Sequence, residues 1–90
     1  MSTLYRIYVE DVVAEASNIE KIVKRYLDCF TVYHAQGCWQ EKQEASLVIE
    51  VIDSKPLASI AIQACAAELK ALLKQECVLV TEQEIEARFV

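Results

Sequence analysis

The 90-residue chain has one glycine, one proline, one histidine and one tryptophan. So little glycine and proline leaves small scope for linkers, and this length makes one domain, residues 1–90. Nine Lys and Arg stand against fourteen Asp and Glu, for a formal net charge of −5. No Lys/Arg-rich run exists to neutralise phosphates, so a nucleic-acid partner is not expected. No apolar run reaches the roughly 18 residues of a membrane span, and no basic region followed by an apolar stretch marks a secretory leader. The four cysteines, Cys29, Cys38, Cys65 and Cys77, form no C-x-x-C pair and no zinc-knuckle spacing. They read as reduced thiols of a cytoplasmic protein. No glycine-rich loop is present to cradle a phosphate. His34 has no second His or Cys at a usable spacing, Cys38 being the nearest. No metal and no cofactor are therefore expected.

Apolar residues are plentiful, at 54% against a usual ~45–50%. A chain this small buries only roughly 60–65% of its unfolded surface, so surplus apolar groups point to a subunit interface. Leu4 to Glu10 alternates as a first strand. Ser17 and Glu20 have the spacing of a capping box for a helix over about residues 18–29. Ile19, Ile22, Val23 and Tyr26 form its apolar stripe. Residues 30–40, FTVYHAQGCWQ, read as strand two, with Gly37 marking a bulge or a close backbone approach. Gln40 to Glu44 lacks Asn-Gly chemistry, which predicts a hairpin loop of about four residues. Ser46 to Ile52 is the strongest strand signal. Asp53 or Ser54 can cap a second helix with Pro56 in its first turn, running to about Gln75. Cys77 to Val80 reads as a short strand, and Ile85, Ala87 and Phe89 alternate in a final one. The order predicts an α+β, ferredoxin-like split βαβ fold (βαββαβ, with or without an extra C-terminal strand). Its antiparallel sheet would carry both helices on one face.

The second face of such a sheet has no helices over it, and strand three should then alternate apolar and polar. Instead, Val48 and Ile52 flank Glu50 on the face opposite Leu47, Ile49 and Val51. Burying one such side chain contributes roughly 1.5–3 kcal/mol. Val48 and Ile52 are therefore expected interface residues, covered by another copy of the chain. Tyr33 and Trp39 could stack a planar ligand or anchor that interface. His34 could act as a base oriented by Glu50, or be a strand histidine bonded to a neighbour. Tyr33, His34, Trp39 and Glu50 are the ligand or interface candidates, and Gly37 the structural one. Cys29 and Cys38 lack an activating neighbour and read as structural. The acidic run Glu82 to Glu86 reads as a solvated strand edge. No catalytic residue set is discernible.

Phe30, Thr31, Ala35, Gly37 and Trp39, then Glu44, Ser46 and Val48, then Gln75, Glu76, Val78 and Leu79 make a longer pattern. It resembles a family of small bacterial and phage domains with F-T-x-x-x-A-x-G-x-W, E-x-S-x-V and Q-E-x-V-L. The resemblance covers residues 30–90 well and the first 29 in outline. That family is similar to GlnB-type and CutA-type proteins, which implies a ferredoxin-like trimer with sheets facing inward and implies no reaction. The glycine-rich nucleotide contacts of the signalling members are missing from this chain. The leading expectation is a non-enzymatic homo-oligomer, trimer or dimer, binding a small molecule or a protein at clefts between subunits. One alternative is a dimeric α+β barrel enzyme with His34, Tyr33 and Trp39 around a pocket between sheet and helices. The other is an acidic antagonist of a host factor, carried by a mobile element.

Overall fold

The alternation of the first ten residues produces β1, Ser2–Glu10, at an inner position of the sheet. The computed structural model describes residues 1–55 and 57–90. The expected helical Pro56 lies outside the described residues. After β1 come a 3-10 turn (Val13–Glu15), α1 (Ala16–Tyr26), β2 (Thr31–Trp39), β3 (Lys42–Asp53), α2 (Ala58–Leu73) and β4 (Leu79–Ile85). The four strands form one antiparallel sheet in the order β2-β3-β1-β4. This is the α+β, ferredoxin-like arrangement.

The apolar stripes meet as the spacing requires. Tyr5, Ile7 and Val9 of β1 and Leu47, Ile49 and Val51 of β3 face Ile19, Ile22 and Val23 of α1. Ile62, Cys65, Ala66 and Leu69 of α2 complete this one buried core. The two helices are tied by Glu68, which accepts from Tyr26 Oη at 2.6 Å and from an Arg25 guanidinium nitrogen at 2.7 Å. Helix α2 stops where Lys74 turns left-handed (φ 53°). The Gln75 amide then donates to the Lys70 carbonyl at 3.1 Å, satisfying an orphan carbonyl of the last turn.

Four local expectations are corrected. The capping box does not form, because the 3-10 turn runs straight into α1 and leaves Ser17 inside the helix. Asp53 and Ser54 do not cap α2 either. Asp53 Oδ1 instead accepts from the Lys55 amide at 2.8 Å, and the position before α2 is Leu57. The hairpin between β2 and β3 has two residues, Gln40 (φ 50°) and Glu41 (φ 66°), not four. Both adopt the left-handed conformation of a type I′ turn, whose twist matches that of the flanking strands. Among the described residues no extra C-terminal strand follows β4. A single strand, β4, covers residues 79–85, and its pairing with β1 ends at Ser2 opposite Ile85. Among the described residues no helix is long and apolar enough to cross a membrane.

Candidate functional site

Side chains alternate along each strand, so the register assigns every residue to a face. Tyr33 pairs with Val48, Val48 with Tyr8, and Tyr8 with Leu79. One row further, Thr31, Glu50, Arg6 and Thr81 are in line. These residues occupy the sheet face away from the helices. At its centre Arg6 Nε donates to Glu50 Oε2 at 3.0 Å, and Tyr33 Oη donates to the same oxygen at 3.2 Å. The bond to Glu50, and after it the one to Tyr33, raises the Arg6 pKa above its ordinary value. The guanidinium therefore stays charged at any physiological pH. Both bonds converge on Oε2, and Glu50 Oε1 has no protein donor among the described residues. A carboxylate oxygen beside a tyrosine ring can receive a ligand's cation or a polar hydrogen.

Val48 lies beneath this cluster. It is only 1% exposed in the single chain, with Tyr8 and Tyr33 directly opposite it on either side. It thus needs no second copy to bury it. Ile52, two residues along the same face, is 50% exposed, and Leu79 at the far edge is 60% exposed.

His34 is not part of the cluster. It pairs with Leu47, which faces the helices, whereas Tyr33 and Trp39 face the other way. The expected His34–Glu50 couple is therefore corrected: His34 Nδ1 donates to Asp11 Oδ2 at 2.7 Å. The barrel-type pocket between sheet and helices, lined by His34, Tyr33 and Trp39, is not built, because the sheet separates the first from the other two.

Gly37 makes no bulge. The β2–β3 ladder runs unbroken past it, with Glu44 opposite. A Cβ at Gly37 would come no closer than 4.0 Å to the Glu44 carbonyl oxygen, an ordinary contact. Trp39 stands at the tip of the hairpin, 57% exposed. The β1–β3 ladder ends at Glu10 opposite Ser46, so from Gly37 to Glu44 the sheet is a two-stranded ribbon projecting past the body.

A separate cleft of about 630 Å³ lies at the end of the sheet, between α2 and the C-terminal tail. Cys29, Ile52, Asp53, Leu57, Arg88 and Phe89 are among its lining residues. Of the ligand, interface and structural candidates named from the sequence, it contains only Ile52. No group of three or more His, Cys, Asp or Glu among the described residues could hold a metal ion.

No protein-family model and no curated protein matches the chain. Solved structures do. A phage SAM lyase in complex with S-methyl-5′-thioadenosine is 27% identical, covering 92% of this chain and 81% of its own, with a TM-score of 0.73. A nitrogen regulatory PII-like protein from Thiomonas intermedia K12, bound to ADP, AMP and bicarbonate, superposes with a TM-score of 0.64. It covers 99% and 96% of the two chains at 12% identity. The PII-like protein CutA from Nostoc sp. PCC 7120 also gives 0.64 and 12%, covering 93% and 81%. The last two likenesses establish the shared fold.

Arg6, Tyr8 and Asp11 were missed in the sequence. Arg6 did carry a signal: it is the lone charge within Leu4–Val9, as Glu50 is within Leu47–Ile52. Asp11 carried none, since it sits in a connection.

Proposed function

We propose that the chain assembles with copies of itself and binds an adenosine nucleoside carrying a sulfur-linked 5′ chain. S-adenosylmethionine is the charged member of this class and S-methyl-5′-thioadenosine a neutral one. The ligand lies on the helix-free face, where Glu50, Tyr33 and Arg6 supply its polar contacts. The observation that carries this reading is the Arg6–Glu50–Tyr33 cluster at the centre of the helix-free sheet face, beside Val48, Tyr8 and Ile52. The 27% identity to a protein holding such a nucleoside, over nearly the whole chain, supports it. The chemistry fits: a sulfonium is attracted by a carboxylate and by tyrosine faces, and its adenine can stack on an aromatic ring. A flat sheet face cannot bury most of a small ligand, as binding sites do. A second copy supplies the missing wall, and the half-exposed Ile52 and Leu79 provide apolar area for that contact.

Calorimetric titration with the two nucleosides tests this. Saturable binding of both is expected, with Glu50→Gln weakening the sulfonium more than the thioether, because only the former loses a charge–charge attraction. The absence of saturable heat with either would remove the proposal. A second reading, that the chain also cleaves the sulfonium, is motivated by the lyase character of the 27%-identical protein. Chromatography of the same mixtures decides it by the release of S-methyl-5′-thioadenosine.

A further inference from the structure

We infer that Trp39 serves the ligand site of a neighbouring copy, not that of its own chain. This inference rests on the nucleoside reading above. Trp39 and Tyr33 share a sheet face, but six residues of strand separate them by roughly 20 Å. That span exceeds an adenosine thioether, so one ligand cannot touch both within a single chain. Its own chain, over the described residues, leaves more than half of Trp39 open. The ribbon that carries it has outrun β1, and its two strands pair only with each other. A large aromatic ring 57% exposed at the tip of an isolated ribbon is poorly placed unless another molecule receives it, since a two-stranded ribbon is marginal alone.

The cluster around Glu50 has the opposite deficiency: it has a floor and no wall. Arm and floor lie on the same face of the same chain, so a closed symmetric assembly with these faces turned inward satisfies both at once, each copy's arm over its neighbour's floor. Ala35 and Gly37 precede Trp39 on that face and offer little side chain to obstruct the approach. In this arrangement the indole stacks on the adenine ring while the neighbour's Glu50 meets the sulfur end.

Trp39 is the only tryptophan, so intrinsic fluorescence reports on it alone. On dilution from assembled to dissociated protein its emission should move to longer wavelength. Emission at the water-exposed position in assembled protein, or a protein monomeric at every concentration, overturns the inference. This readout needs no ligand and so stands apart from failure of the nucleoside reading, which shows as wild type that binds nothing. Subunit mixing tests the ligand contact. Glu50→Gln and Trp39→Ala chains are each expected to bind S-adenosylmethionine at least tenfold more weakly than wild type. After unfolding and refolding together in equal amounts, about a quarter of the sites should regain both groups, from different chains. No recovery in the mixture, or full-strength binding by Trp39→Ala, overturns the inference. Trp39→Phe should retain most of the binding, which separates stacking from loss of the arm.

Discussion

Cys65 has no exposed surface, and burial, reinforced by the Glu68 carboxylate, pushes its thiol up to about 11 from an ordinary 9.0. Cys29, Cys38 and Cys77 are exposed. A thiol reagent at neutral pH should therefore label three groups quickly and the fourth only on unfolding. Four fast thiols would contradict the packing of α2. The Cys65 shift also sets a pH dependence. Between the two values the native chain holds a proton that the unfolded chain has released, so stability falls as pH rises through that window. Tyr26, whose hydroxyl donates to Glu68, is shifted upward too and works in the same direction. The urea midpoint should decline from about pH 9 to 11, and a flat profile would argue against both shifts. Gly37 supplies a third residue-scale expectation. With no bulge and room for a Cβ, Gly37→Ala should leave the stability of the single chain unchanged or raise it by up to about 1 kcal/mol. Equilibrium unfolding under dissociating conditions measures this, and a large loss would show a constraint the ladder does not.

The β2–β3 hairpin shows how an element can override its own turn chemistry. Left-handed backbone costs roughly 1–2 kcal/mol for each non-glycine residue, yet Gln40 and Glu41 both adopt it. Nine consecutive cross-strand pairs over-determine the register, and a type I′ turn suits their twist. Replacing the pair by Asn-Gly should stabilise the protein by about 1 kcal/mol, read as a higher urea midpoint. An unchanged midpoint would mean that the turn is not strained. This turn also explains why the candidate site was only partly legible. Faces within a strand follow from alternation, so Val48, Glu50 and Ile52 were correctly grouped opposite Leu47, Ile49 and Val51. Faces between strands follow from register, which the loop length fixes, and a one-residue error exchanges the two faces. Spacing along the chain gives no register across strands, so it allows His34 beside Glu50, whereas the observed pairing of His34 with Leu47 puts the sheet between them. The helices were legible because their apolar stripes recur at helical spacing. Ile85, Ala87 and Phe89 carry the alternation of a strand, but alternation does not supply a partner, and the pairing with β1 stops at Ile85.

At the scale of the whole molecule, the helix-free face contains two kinds of apolar residue that the sequence could not separate. Val48 and Ile52 alternate on one strand and look alike in pattern. Val48 is sealed by Tyr8 and Tyr33 within its own chain, whereas Ile52 is half exposed and adjoins no such pair. An aspartate at each position should therefore fail differently. Val48→Asp places an unpaired carboxylate inside the single chain, which costs several kcal/mol, a large part of the stability of a domain this size. It should abolish cooperative melting at every protein concentration. Ile52→Asp leaves its carboxylate hydrated in the single chain and becomes unfavourable only when a second copy approaches. It should give a folded protein of smaller hydrodynamic size whose melting temperature no longer rises with concentration, as that of wild type should. Size-exclusion chromatography and melting curves over a hundredfold concentration range distinguish the two. If Ile52→Asp keeps both the size and the concentration dependence of wild type, the helix-free face is not the assembly face, and the wall of the nucleoside site must be sought elsewhere.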